Sequence, residues 1–295
     1  MDQHNPSARI HIALTFNDKY WALAYAVMRS ICLTTKRRTD LNFHLCHSDL
    51  TPAHLAVLEA IPAEFGATLL HHDPAKSPAF QALTADLPTT ARFPAIIYTR
   101  LLLDKLLPPD VERVLYLDCD TMVCEAIEQF YEIDLQGKTL AAAQDPYHMG
   151  IKKGRDVNNG QKPFDSADLY FNSGVLLIDL KAYAAADIPA RIHQLAQQGT
   201  LNHLYYDQDL LNYIFKDQWL RLDWRYNLIN PRRVHESLHP IVIHYTGFSR
   251  PWQIFSRAAF ARLYRHVMTN AVFYRYMRER RLGRFSKYFE PRNSR

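Results

Sequence analysis

Short apolar runs of strand length alternate along this chain with segments whose apolar residues recur at helical spacing. This alternation indicates an α/β fold built around a mainly parallel sheet. The predicted strands are residues 10–15, 41–45, 68–71, 140–144, 171–178 and 240–243, with one more beginning at residue 113. The predicted helices are residues 21–31, 52–60, 95–107, 188–197 and 210–215. The proline-rich segment 74–93 and the polar segment 147–168 are predicted to be loops.

Two carboxylates stand one residue apart where the strand beginning at residue 113 should end. Side chains alternate along a strand, so Asp118 and Asp120 are expected to face one side and Cys119 the other. Ligands of open α/β sheets bind beyond the carboxyl ends of strands, and two oxygen donors there can hold Mg²⁺ or Mn²⁺. Carboxylates at a strand end also commonly accept hydrogen bonds from a turn, so the pair alone leaves both interpretations open.

The last apolar run of the chain ends in His244, which supplies a third candidate ligand. Two carboxylates and one imidazole can form an octahedral Mn²⁺ site with positions left for phosphate oxygens. Gly247 permits close approach of the backbone, and Arg250 is a permanent cation suited to phosphate. A single histidine after a strand is often only structural, so the metal hypothesis depends on the aspartates.

Composition excludes several alternatives. The chain has 295 residues, of which 48% are hydrophobic and 22% charged, as expected of a folded domain with a sizeable core. Its nine glycines form no dinucleotide-binding or P-loop motif, so bound phosphates would be neutralised by a metal and cationic side chains. The four cysteines lack metal-site spacing and are expected to be buried thiols. No signal peptide or membrane-spanning run is apparent, which indicates a cytoplasmic protein.

The positive charge is concentrated at the end of the chain, where residues 261–295 contain ten basic and two acidic residues. We expect a catalytic domain over residues 1–255 and a basic, aromatic, helical tail over residues 256–295. Cations interleaved with aromatic residues suit an anionic membrane surface, and a solvated helix packed on the core is the alternative. No nucleic-acid-binding motif is present, so no such partner is expected. The residues that predict the helical face of the tail are Phe260, Leu263, Tyr264, Val267, Ala271 and Tyr274.

Four strings of residues, in their order and spacing, resemble glycosyltransferase family 8, the bacterial lipopolysaccharide galactosyl- and glucosyltransferases. They are residues 114–120, 170–178, 207–209 and 244–252. The resemblance extends over roughly residues 10 to 252. It implies a GT-A type nucleotide-sugar-binding fold, with a mainly parallel mixed sheet flanked by helices.

The resemblance also implies roles for individual residues. Mn²⁺, with Mg²⁺ as an alternative, would be held by Asp118, Asp120 and His244 against the diphosphate of a UDP-sugar. The uracil would lie against the turn formed by Asn17, Asp18, Lys19 and Tyr20. Phosphates, ribose and sugar would contact Arg100, Asp145, Asn172, Ser173, Gly247 and Arg250, with Asp207, Gln208 and Asp209 as the catalytic candidates. Asn17 and Arg250 depart from the family, which commonly has a carboxylate and a lysine there.

The activity implied is transfer of galactose or glucose, with retained anomeric configuration, from a UDP-hexose to a lipopolysaccharide or other lipid-linked glycan. Such an enzyme would be cytoplasmic, with peripheral attachment to the inner face of the bacterial inner membrane through the tail. Same-face attack is favoured over double displacement, in which Asp207 or Asp209 would be the nucleophile. Two alternatives remain: a haloacid-dehalogenase-like phosphatase with Asp118 as nucleophile, and a non-catalytic UDP-sugar-binding protein.

Overall fold

The structure is a computed structural model that describes residues 9–85, 87–90, 93–147, 164, 168–204 and 206–289, with side chains to residue 282. Most of the predicted loop 147–168 lies outside these residues. The strands are β1 (Ile10–Asn17), β2 (Leu41–Ser48), β3 (Thr68–His72), β4 (Arg113–Leu117), β5 (Thr121–Val123), β6 (Leu140–Gln144), β7 (Phe171–Asp179), β8 (Trp219–Leu222), β9 (Leu228–Ile229) and β10 (Val242–His244).

The described helices cover both faces of the sheet. The α-helices are α1 (Trp21–Thr34), α2 (Pro52–Leu58), α3 (Ala60–Phe65), α4 (Pro78–Ala85), α5 (Leu103–Leu106), α6 (Glu128–Tyr131), α7 (Leu180–Ala185), α8 (Ile188–Gln197), α9 (Tyr206–Ile214), α10 (Ala261–Met268) and α11 (Asn270–Phe289). The 3-10 helices are Asp18–Tyr20, Arg38–Asp40, Pro74–Lys76, Ala95–Leu102, Thr200–His203, Trp224–Asn227 and Arg233–Ser237.

Seven strands form one mixed sheet in the order β3-β2-β1-β4-β7-β6-β8. Only β7 runs antiparallel to its neighbours β4 and β6 within this sheet. The prediction of a mainly parallel mixed sheet flanked by helices is confirmed. Side chains of β4 alternate between two buried clusters, with Leu115 and Leu117 on one face and Val114 and Tyr116 on the other.

A second, three-stranded sheet has the order β5-β10-β9. It is short, because β9 has two residues and the other strands have three; the sequence predicted β10, within the run 240–243, but not β9. Strand β10 runs antiparallel to β5 and parallel to β9. This small sheet begins three residues after β4 ends, so it lies at the carboxyl edge of the large sheet.

Two local predictions differ from the structure. Residues 95–107 form a 3-10 helix up to Leu102 before a single α-helical turn, and residues 98–102 are all buried. We attribute the 3-10 conformation to packing on all sides of this segment, which overrides its α-helix propensity. The segment 74–93, predicted as a loop, contains α4, whose Phe80 and Leu83 face the core three residues apart.

The tail helices pack on α1. Tyr264, Val267, Phe273 and Tyr276 are buried with the core, while Tyr274, predicted to be on the apolar face, is 62% exposed. The helical phase is displaced because the chain breaks at residue 269, which has a φ of 63°. The predicted domain boundary after residue 255 stays a prediction.

The four cysteines are free thiols in the structure. Cys32, Cys46 and Cys119 are buried free thiols, and Cys124 is a half-buried one, as predicted. Within the described residues, no helix combines the length and apolarity required to cross a bilayer.

A row of three histidines crosses the parallel strands β1, β2 and β3. His11 Nδ1 lies 2.9 Å from His44 Nε2, and His44 Nδ1 lies 3.0 Å from His72 Nε2. Burial, together with the neighbouring imidazoles of His72 and His11, lowers the pKa of His44 to about 3. Each N–H···N bond requires an unprotonated acceptor nitrogen, and burial favours the uncharged ring of His44.

We expect the free energy of unfolding to fall as the pH decreases from 7 to 5. Unfolded chains take up a proton on His44 near the ordinary histidine pKa of 6.5, whereas folded chains do not. That difference contributes about 2 kcal/mol over this interval. Urea titrations at pH 7 and pH 5 measure this change. Between these pH values, the free energy of unfolding of His44→Leu should fall by about 2 kcal/mol less than that of the wild type. The exposed control His193→Leu should show the same fall as the wild type. An unchanged pH dependence in His44→Leu would contradict this assignment.

Candidate active site

The turn that carries Asp118 and Asp120 joins the two sheets. The backbone N–H of Thr121 donates to the Asp118 carbonyl (3.2 Å), which closes the turn between β4 and β5. The expectation that strand alternation aligns the two aspartates is therefore wrong in its local geometry. Their carboxylates nevertheless converge, because β10 pairs with β5 and places His244 opposite Thr121.

The three candidate ligands lie within reach of one ion. His244 Nε2 is 3.1 Å from Asp120 Oδ1 and 3.8 Å from Asp118 Oδ2, and one ligand atom from each residue falls within 4.8 Å of the others. Carboxylate oxygen and imidazole nitrogen are donors that Mn²⁺ and Mg²⁺ accept. The residues brought together here fit a divalent cation.

The other ring nitrogen of His244 is held by the protein. His244 Nδ1 donates to Asn227 Oδ1 (3.1 Å), and Asn227 Nδ2 donates in turn to Asn172 Oδ1 (2.9 Å). Because the second bond orients the Asn227 amide, it also determines that Nδ1 carries a proton. Nε2 then directs its lone pair towards the carboxylates once the ring is neutral, as in many metal-bound histidines.

Charge coupling links His244 to Asp120. Burial acts to raise the pKa of Asp120, but His244 and then Arg250 outweigh it and hold that pKa below its ordinary value. Burial acts to lower the pKa of His244, but Asp120 and Asp118 outweigh it and raise that pKa. Both shifts favour the ion-paired form, in which a divalent cation would take the place of the Nε2 proton of His244.

The strand β7 passes the cluster at Gly174 with no space for a side chain. A Cβ atom at Gly174 would lie 2.2 Å from His244 Cε1 and 2.6 Å from Asp118 Oδ2. The Gly174 carbonyl also accepts a hydrogen bond from the Asp118 N–H (2.8 Å). A glycine is therefore required for β4, β7 and β10 to bring the three ligands together.

Arg100 neutralises two of the buried carboxylates. One guanidinium nitrogen lies 2.7 Å from Asp118 Oδ1, and Nε lies 3.0 Å from Asp207 Oδ2 at an angle unsuited to a hydrogen bond. Burial would lower the pKa of Arg100, but Asp118 and Asp207 raise it above its ordinary value. Burial raises the pKa of Asp207 despite the guanidinium. Arg100 is thus engaged by protein groups, including the Ser173 carbonyl (3.0 Å).

A hydrogen-bond network surrounds the Gln208 amide. Gln208 Oε1 accepts from Asn172 Nδ2 and from the Ser173 N–H, both at 3.1 Å. Asp145 Oδ2 accepts from the same Asn172 nitrogen (3.1 Å). Tyr170 donates its hydroxyl proton to Asp209 Oδ1 (2.5 Å). The network connects β7 and α9 to the cation cluster through Asn172 and Asn227.

A cavity of about 400 Å³ opens over the cluster and this network. It brings together most of the residues predicted for the site, with the further aromatic residues Phe93, Tyr170 and Tyr206 on its wall. The predicted residues that line it are Tyr20, Arg100, Asp118, Asp120, Asn172, Ser173, Asp207, Gln208, Asp209, His244 and Arg250.

The remaining predicted residues lie around this cavity. Asp18 and Lys19 line a neighbouring cavity, and Asp145 lines a third one. Asn17 Oδ1 accepts from the Lys19 N–H (3.2 Å), so it caps the 3-10 helix that follows. The Gly247 carbonyl accepts from Arg250 Nε (3.0 Å), and a Cβ at Gly247 would lie 2.5 Å from Asn230 Oδ1.

The sequence matches glycosyltransferase family 8 over residues 11–255, most of the chain. This chain belongs to glycosyltransferase family 8. It is similar to the galactosyltransferase LgtC solved with donor and acceptor sugar analogues, at 25% identity and a TM-score of 0.70, over 88% of this chain and 95% of that one. The fold is therefore the GT-A type, and the chain is a nucleotide-sugar-dependent glycosyltransferase. The phosphatase hypothesis is wrong.

Family relatives match over different shares of their length. General stress protein A of Bacillus subtilis is 22% identical over 88% of this chain and 93% of its own. Lipopolysaccharide 1,2-glucosyltransferase of Escherichia coli K12 is 28% identical over 63% of this chain. The chain spans 57% of that enzyme and 51% of glycosyltransferase GlyF of Streptococcus pneumoniae.

Several residues of this glycosyltransferase site were not predicted from the sequence. Tyr116 donates its hydroxyl proton to Asp118 Oδ1 (2.8 Å), and Asn227 orients His244. Gly174 stands in the matching string 170–178, and its lack of a side chain in a buried strand was a signal for close approach. Asn227 ends a 3-10 helix and had no comparable signal.

We predict that Gly174→Ala abolishes divalent-cation binding while the protein remains folded. The new methyl group must displace His244 or Asp118, and shifts of about 1 Å in a site can reduce catalysis about 100-fold. Titration calorimetry with Mn²⁺ measures the binding, and circular dichroism with thermal unfolding reports the fold. A folded variant that binds Mn²⁺ as the wild type does would contradict the proposed crowding.

Proposed function

We propose that this glycosyltransferase transfers galactose or glucose from a UDP-sugar to a lipopolysaccharide or other lipid-linked glycan, with retained anomeric configuration and Mn²⁺ or Mg²⁺ assistance. The observation that carries the proposal is the convergence of Asp118, Asp120 and His244 in one cavity with Arg250 and the Gln208 network. The activities of two similar proteins, a galactosyltransferase and a lipopolysaccharide glucosyltransferase, support these substrates.

The proposed reaction requires stabilisation of a leaving diphosphate. Cleavage of the anomeric C–O bond leaves negative charge on UDP and positive charge on the sugar ring. A bound divalent cation supplies Lewis-acid stabilisation of the diphosphate. Arg250, which lines the cavity beside Tyr20, adds a permanent positive charge directed at the same phosphates. Asn17 departs from the family, but its amide oxygen can accept from the uracil N3–H.

Same-face attack agrees with the contacts of the nearby carboxylates. Asp207 is paired with Arg100, and Asp209 accepts the Tyr170 hydroxyl proton. Gln208 is a poor nucleophile, and its carbonyl oxygen is engaged by β7. In the proposed step the acceptor hydroxyl forms the new C–O bond on the face that UDP leaves. Its proton passes to the departing diphosphate oxygen.

We expect Mn²⁺-dependent release of UDP from UDP-galactose or UDP-glucose. Asp120→Asn should reduce that rate by about 100-fold or more, because one ligand charge beside the diphosphate is lost. Exposed Asp217→Asn carries the same change in charge and should retain the wild-type rate. Tight UDP-sugar binding without UDP release, with acceptor glycan present, would instead establish the non-catalytic binding protein.

We predict that Asp209→Asn retains activity within about tenfold of the wild type, because Asn can still accept the Tyr170 hydrogen bond. Removal of a covalent nucleophile would cost more than about 10³-fold. Azide rescue of the variant, followed by analysis of the anomeric product, tests the same point. A loss of that larger size together with azide rescue would establish double displacement.

Cytoplasmic location and contact with an anionic membrane surface belong to this proposal. The exposed cations of the described tail, Arg257, Arg262, Arg278 and Arg281, are available to such a surface. Phe273 and Tyr276 of the tail are buried against α1 and the core. Membrane contact through the tail would therefore rest on cations and on residues beyond 282.

A further inference from the structure

A second cavity of about 500 Å³ adjoins the one over the metal cluster. The two share Tyr20 and Arg250, and the second extends from there to the tail helix α11. Its α11 wall is formed by Tyr276, Glu279 and Arg280. These residues lie beyond the segment 11–255 that matches the family, so family membership assigns them no role.

The acidic residues of this second cavity are engaged by other protein groups. Glu279 Oε2 lies 3.2 Å from Trp21 Nε1 and 3.1 Å from His54 Nε2, and its other oxygen accepts from Arg275 Nε (2.9 Å). Asp18 Oδ1 accepts from the Thr51 N–H (2.9 Å) and lies 2.7 Å from His54 Nδ1. The carboxylates thus form a fixed connection from α11 through His54 to the turn at residues 17–20.

The cations of the cavity have no such partners. Among the described residues, no carboxylate lies within ion-pair distance of Lys19, Arg250 or Arg280. One Arg280 nitrogen donates to the Tyr276 hydroxyl (3.2 Å), and Arg250 Nε donates to a backbone carbonyl. Three cations from three segments of the chain therefore converge on one cavity, and within the described part of the chain none of them forms an ion pair.

Tyr20 and Arg250 line both cavities, so these cations lie beside the cavity over the metal cluster. Burial and the negative charge of Asp120 raise the pKa of the Tyr20 hydroxyl, and Arg250 and Arg280 oppose them. Asp120, Arg250 and Arg280 therefore all act on one hydroxyl at the boundary between the two cavities. An anion that binds a metal ion at Asp120 and extends past Tyr20 would therefore contact the guanidinium groups of both Arg250 and Arg280.

We infer that Arg280 is a further donor-binding residue, which contacts the diphosphate of the nucleotide sugar together with Arg250. The inference rests on the proposed function. A diphosphate carries charge enough to satisfy both guanidinium groups, and arginine binds phosphate through two parallel hydrogen bonds. The tail helix would then complete the donor site, with Glu279 and His54 holding it in position.

Arg280→Gln tests this inference, with Arg278→Gln as the matched control. Arg278 is exposed on the same helix and loses the same charge. Titration calorimetry with Mn²⁺ and UDP should show about tenfold weaker binding for Arg280→Gln, as expected for a charge-assisted hydrogen bond. Arg280→Lys should recover part of the loss. Arg278→Gln should bind UDP within about twofold of the wild type, as expected when only a distant charge changes.

Uridine, which lacks phosphates, separates a phosphate contact from a change in helix position. Equal weakening of uridine and UDP binding by Arg280→Gln would overturn the inference, because the effect would then lie in the turn at residues 17–20. Equal UDP binding by Arg280→Gln and Arg278→Gln would also overturn it and leave the proposed function intact. Failure of the wild type to bind UDP at all would overturn both.

Discussion

The site depends on one buried guanidinium. Arg100 lies between Asp118, at the end of β4, and Asp207, at the start of α9, and it also holds the Ser173 carbonyl on β7. A buried carboxylate without a partner is costly, and removal of one member of a buried ion pair destabilises more than formation of the pair stabilises. Arg100, which is 7% exposed, provides such a partner for both Asp118 and Asp207 beside the candidate cation site.

The junction between two sheets explains why three distant residues meet. Asp118 follows the last residue of β4 in the large sheet, and Asp120 lies in the turn to β5. Strand β10 of the small sheet pairs with β5 and places His244 beside both aspartates. Gly174 allows β7 to pass this point with its backbone in contact with the cluster. Rigid strands on three sides hold the ligands, while the catalytic candidates on α9 are connected to them through Asn172 and Asn227. Such a scaffold suits a reaction that requires charge to be placed accurately before the bond breaks.

The sequence predicted the large sheet and the convergence of the three candidate ligands because both leave strong local signals. Buried strands are continuous apolar runs, and Asp118, Asp120 and His244 each follow one. The strand-alternation argument nevertheless failed at Asp118, since hydrogen bonding closes a turn that the pattern does not show. Asn227, Glu279 and Arg280 could not be found in this way. Their positions depend on contacts between segments that are remote in the sequence, and the break at residue 269 changed the helical phase on which the tail prediction relied.

The hydrogen bond between Trp21 and Glu279 joins residues 258 positions apart. During synthesis, the turn that begins α1 emerges from the ribosome long before the helix that supports it. The growing chain must therefore keep Trp21 and the apolar surface of α1 without their final cover until α10 and α11 are made. Non-local contacts of this kind slow folding and leave an aggregation-prone intermediate, which chaperones bind. Translation of the two tail helices is thus the stage at which Trp21 and the apolar surface of α1 become covered.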